Sequence, residues 1–78
     1  MLGYVSEREF KLQFEDSFKQ FFKPLCFHAM SFVKDADIAK DIVHDVFLTT
    51  WTQREKIDFT QPMLPYYLSL TRNRSLNY

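Results

Sequence analysis

Seventy-eight residues make one domain, close to the smallest size at which a hydrophobic core holds a fold without metals or disulfides, and leave no room for a second. Nine Phe, four Tyr and one Trp supply the area to bury, while one Gly and three Pro are too few turn residues for an all-β domain. The formal net charge is zero, which argues against a protein that grips nucleic acid by phosphate neutralisation alone.

The composition predicts an all-α fold, a small bundle of three main helices. Cys26 is the single cysteine, so an internal disulfide is excluded, and with His28 and His44 it falls short of a structural zinc set. A lone thiol fits a reducing cytoplasm. The sequence holds no apolar run of the roughly 20 residues that span a bilayer, and the charges that follow Met1 and Gly3 are unlike a signal core, so a soluble domain without membrane insertion is expected. Charge is uneven: residues 1 to 50 carry six Lys/Arg against eight Asp/Glu, and residues 51 to 78 carry four against two.

In chain order, Ser6 and Glu9 fit a capping box and predict a helix start. From there Phe10, Phe14, Phe18, Phe21, Phe22, Leu25, Ala29, Phe32 and Val33 recur at three- and four-residue steps and predict a core-facing stripe. Pro24 lies inside this run, where it deletes a hydrogen bond and crowds the Gln20 carbonyl, so a kink or a break into two helices is expected near it. Asp35 and Asp37 are candidate N-caps for a second helix running to about Arg54. Asp58, Thr60, Pro62 and Pro65 predict a loop from Glu55 to Pro65, and Pro65 suits the first position of a third helix over Tyr66 to Tyr78.

At 100° per residue, Ala36, Ala39, Ile42, Val43, Val46, Phe47 and Thr50 share the inner side of the second helix. Opposite them lie Asp41, His44, Asp45 and Leu48, with Trp51 at the edge. This stripe reads either as a solvated face carrying one stray leucine or as a partner surface with an apolar anchor ringed by charge. One His beside two carboxylates is weak grounds for a metal site, and no metal or cofactor is expected.

On the third helix Tyr66, Ser69, Asn73 and Asn77 form a stripe, with Arg72 beside it and Arg74 toward the opposite flank. Asn suits base edges, Arg suits phosphates and aromatic rings stack on unpaired bases, so the stripe can read DNA; it also fits an ordinary solvated face. Phe59, with Lys56 and Gln61 around it, is either a ring folded down onto the bundle or a stacking platform for an extruded base. The sequence holds no nucleophile–base pair, glycine-rich phosphate loop or metal set, so no enzyme is expected.

The runs DIVHDVFLTTW (Asp41 to Trp51) and YLSLTRNRSLNY (Tyr67 to Tyr78) resemble, in order and spacing, the two signature segments of region 2 in extracytoplasmic-function RNA polymerase sigma factors, and the resemblance covers about residues 14 to 78. It implies that Asp41, His44, Asp45, Leu48 and Trp51 contact the clamp helices of the polymerase β′ subunit. It further implies that Asn73 and Asn77 read the minus-ten promoter element on the non-template strand, that Arg72 and Arg74 hold phosphates, and that Lys56 to Gln61 belong to a loop that captures a flipped base. An anti-sigma factor is an implied partner. The family often has Gln at the position of His44 and a basic residue at that of Ser69, and it normally continues into a helix-turn-helix region 4 domain, so the chain is expected to be an excised region 2. The alternative is a helical interaction module without nucleic-acid function.

Overall fold

The computed structural model describes residues 6–78; the signal-core reading of the first residues lies outside them. Ser6, in extended conformation, caps the first helix, α1, which runs Glu7–Val33. The Glu9 N–H donates to Ser6 Oγ at 3.2 Å, a cap that contributes about 1 kcal/mol. Only half of the expected capping box forms, because the Glu9 carboxylate meets the Ser6 hydroxyl, at 3.5 Å, rather than the Ser6 backbone N–H.

Pro24 does not break this helix. α1 continues through it for 27 residues, so of the two expected outcomes, a kink or a break, the break does not occur. Pro24 and Gln20 are both exposed, so the carbonyl that loses its helical partner faces water, and the ring lies away from the packed stripe. On the inner side Leu25 and Ala29 are fully buried, and Phe14, Phe18, Phe21 and Phe22 pack against the same core, holding the turns on both sides of the proline in place.

α1 ends at Lys34, which adopts the left-handed conformation (φ 61°) and donates its backbone N–H to the Met30 carbonyl at 3.1 Å. A non-glycine residue there costs roughly 1–2 kcal/mol; the Lys34 ammonium offsets part of it by donating to the Ser31 carbonyl at 3.0 Å. Asp35 then caps α2, Ala36–Thr52. Its carboxylate accepts from Asp37 N at 2.9 Å and Ile38 N at 3.0 Å, so Asp35 rather than Asp37 is the cap.

On α2, Ala39, Ile42, Val43, Val46, Phe47 and Thr50 are buried, as their spacing predicts. Ala36 is exposed instead, in the first turn of α2 beside the two-residue joint. A single 3₁₀ turn, Arg54–Lys56, follows α2, and α3 covers Leu64–Leu76, with Pro65 in its first turn. Tyr67, Thr71 and Ser75, one turn apart, are the buried positions of α3. The described residues therefore form three helices and no strand, with Phe47 at the meeting point: its ring lies 5.0 Å from Phe18, 5.9 Å from Phe14 and 4.7 Å from Tyr67, centroid to centroid.

Candidate functional site

The outer stripe of α2 lies where helical periodicity puts it. Asp41, His44, Asp45 and Leu48 are exposed, and Leu48 retains 62% of its accessible surface. The leucine is not isolated. It borders a hollow of about 330 Å³ closed by Phe14 and Trp51, with Lys11 and Glu15 on the α1 side. Periodicity within α2 could not name these α1 residues, because they reach the hollow only through the packing of α1 on α2.

Trp51 forms the firm wall of that hollow. Its ring centroid is 5.1 Å from that of Phe14, and the Arg54 guanidinium carbon sits 4.4 Å above its face. Arg54 also donates to the Trp51 carbonyl at 2.9 Å and to the Glu7 carboxylate at 3.0 Å. It thereby ties the end of α2 to the start of α1 and fixes the indole's attitude. His44 is anchored from below as well, its ring centroid 4.9 Å from Phe22 and 6.3 Å from Phe18. The imidazole thus rests on an aromatic floor while its outer edge meets solvent.

The stripe expected on α3 divides. Ser69, Arg72, Asn73 and Asn77 are exposed, whereas Tyr66 turns into the bundle, where its hydroxyl lies 3.3 Å from that of Thr50. The Asn77 side chain donates to the Asn73 carbonyl at 2.8 Å and so finishes its own helix; the Asn73 side-chain amide stays clear of such bonds among the described residues. Arg74 is occupied. It pairs with Asp45 and donates to Thr49 Oγ1 at 2.7 Å, so a residue the resemblance assigns to DNA and one it assigns to polymerase hold each other.

In the loop, Lys56 and Gln61 are exposed. Phe59 is folded down edge-on against Phe10, centroids 5.3 Å apart, the first of its two alternatives. The turn is set by Asp58, whose carboxylate accepts from Thr60 N at 2.9 Å and Thr60 Oγ1 at 2.5 Å. Those two donors, the hydroxyl first, hold the Asp58 carboxyl below the usual carboxylate range. The loop is thereby a defined turn that presents Lys56 and Gln61 on its outside.

No family model matches this chain, and no curated protein or solved structure matches it. Its chemistry is therefore read from the side chains alone. Among the described residues no helix is long and apolar enough to cross a membrane.

Proposed function

We propose that the domain acts as a sigma factor region 2, docking on the clamp helices of the RNA polymerase β′ subunit through the outer face of α2 and engaging the melted minus-ten element through α3 and the loop before it. What carries this reading is Leu48, an exposed apolar side chain set between Asp41, His44 and Asp45 and beside the Phe14–Trp51 hollow. An apolar anchor next to a rigid aromatic wall with charge around it has the makeup of an interface hot spot. The stripe that the resemblance assigns to polymerase is also the stripe that α2 leaves outside the core. On α3 the free groups, Ser69, Arg72 and Asn73, have the donors and acceptors that base edges and phosphates take.

In this reading the domain performs no chemistry and works in the cytoplasm; its binding energy favours open promoter DNA over the closed duplex, and the polymerase supplies most of the electrostatic grip. The test is a pull-down with the isolated β′ clamp helices, comparing wild type with Leu48→Asp. Binding by the wild type and its loss in the variant is the expected result; a folded wild type that does not bind overturns the assignment.

A second reading, a helical interaction module without nucleic-acid function, is favoured by one set of contacts: Arg74 is held by Asp45 and Thr49, Phe59 by Phe10, and Tyr66 faces Thr50. Three groups that would serve DNA are engaged internally. The salt dependence of binding to single-stranded promoter DNA separates the two, since phosphate contacts give a steep negative slope and a protein-only module gives none.

A further inference from the structure

At the end of the α1–α2 seam nearest the joint, beyond His44, lies a groove of about 490 Å³. Its floor is Phe18, Phe22, Cys26 and Met30, and Phe27 stands at its wall with 66% of its surface exposed. Phe27 points away from the core stripe of α1, and neither the fold nor the α2 face explains a large ring left in water there. The charged groups lining the groove are all cations. Lys19 and Lys23 stand one turn apart on the α1 wall, Lys40 stands on the α2 wall, and no carboxylate lines the groove among the described residues. Neither of the two ion pairs of the described residues uses these lysines.

The geometry selects the occupant. From Phe18 to Met30 the α1 wall extends about 18 Å at 1.5 Å per residue, the length of roughly three turns of a partner helix. A single head group would meet one end of such a groove. Ammonium groups placed at successive turns and on both walls instead complement carboxylates that flank an apolar stripe along its length. We propose that this groove binds the apolar face of an acidic amphipathic helix supplied by a partner protein, with partner carboxylates meeting Lys19, Lys23 and Lys40. The site lies on the other side of His44 from the Leu48 hollow and does not rest on the polymerase reading.

Cys26 gives a direct readout, since it is the single cysteine and lies in the groove floor. Its thiol is pushed up by burial, with Lys40 opposing, so labelling with a thiol-reactive dye is followed at mildly alkaline pH. Two designed peptides serve as probes, each a helix with Leu at i, i+3, i+4 and i+7, one flanked by Glu and the other by Lys. Saturating Glu-flanked peptide is expected to slow Cys26 labelling of the full chain about tenfold or more, the Lys-flanked peptide to leave it unchanged, and Lys19→Glu/Lys23→Glu/Lys40→Glu to exchange the two results. Far-UV circular dichroism checks that the triple variant is folded; if it is not, the two peptides on wild type still decide. The proposal is overturned if the peptides protect equally or not at all. It is equally overturned if dodecanoate alone gives the same protection, which marks a lipid-like ligand, or if raising the protein concentration does so, which marks a second copy.

Discussion

Arg74 of α3 grips Asp45 of α2, and its second terminal nitrogen reaches Thr49 one turn further along the same helix. The guanidinium therefore spans one turn of α2 and sets the rotation of α3 against it. Its Nε is buried and makes no hydrogen bond among the described residues, so the fork is committed to these two partners.

With side chains 35% and 49% exposed, the pair is screened by solvent, and the Arg74–Asp45 coupling in a double-mutant cycle should be about 0.5–1 kcal/mol at low salt, shrinking as salt rises. Urea denaturation of Arg74→Ala, Asp45→Asn and the double variant measures it. A coupling of zero would mean that the ion pair does not set the α2–α3 contact.

Pro24→Ala should stabilise the domain by about 1–3 kcal/mol. It restores the hydrogen bond to Gln20 in the middle of α1 and loses no buried contact, less the stiffening that proline gives the unfolded chain. Thermal and denaturant melts decide; an unchanged or lower stability would show that the proline is accommodated without cost.

Tyr67 carries the pH dependence at the alkaline end. Its ring is fully buried; its hydroxyl makes no hydrogen bond among the described residues, and the Ser17 and Thr50 hydroxyls lie near it without bonding geometry. Burial, the leading cause, pushes its pKa up to about 12 from 10.0. The charged phenolate is thus disfavoured in the folded state. Stability is full below pH 10 and should fall as pH rises from 10 toward 12, where the unfolded chain releases the proton first. Tyr67→Phe should flatten that decline and raise neutral-pH stability by about 1 kcal/mol, since it removes a buried hydroxyl without a partner. A decline that is unchanged in the variant would assign it to other groups.

Asn73→Ala should leave stability within about 0.5 kcal/mol, because its exposed side chain makes no hydrogen bond among the described residues and the Asn77 bonds fall on its backbone carbonyl, which the variant keeps. Under the proposed function it weakens promoter opening at unchanged polymerase affinity, read by permanganate footprinting of the melted bases beside a pull-down. A variant that unfolds instead places Asn73 among the structural residues.

The inner face of α2 was legible because six of its residues repeat at helical spacing. The third helix was legible to within two residues at its start and end for a similar reason, proline at one end and a polar surface along one side. Pro24 left a kink and a break both open because its helix-breaking tendency is local, whereas the aromatic anchors on both sides of it act through tertiary packing. The placing of Tyr66 and Arg74, and the partner of the folded-down Phe59, were out of reach for a different reason. Their partners, Thr50, Phe10 and Asp45 with Thr49, lie far along the chain on another element, and a periodicity argument about one helix says nothing about how that helix is turned toward the next.

The two-residue joint at Lys34 and Asp35 bears on the order in which the molecule assembles. Contacts between α1 and α2 close a short loop outward from that joint, whereas those of α3 with α1 close most of the chain, so the first set carries the smaller entropy cost. The Leu48 hollow and the lysine-rimmed groove are both made from α1 and α2 alone. Both surfaces therefore belong to the pair of helices whose contacts close the shorter loops, while α3 completes the core beneath them through Tyr67.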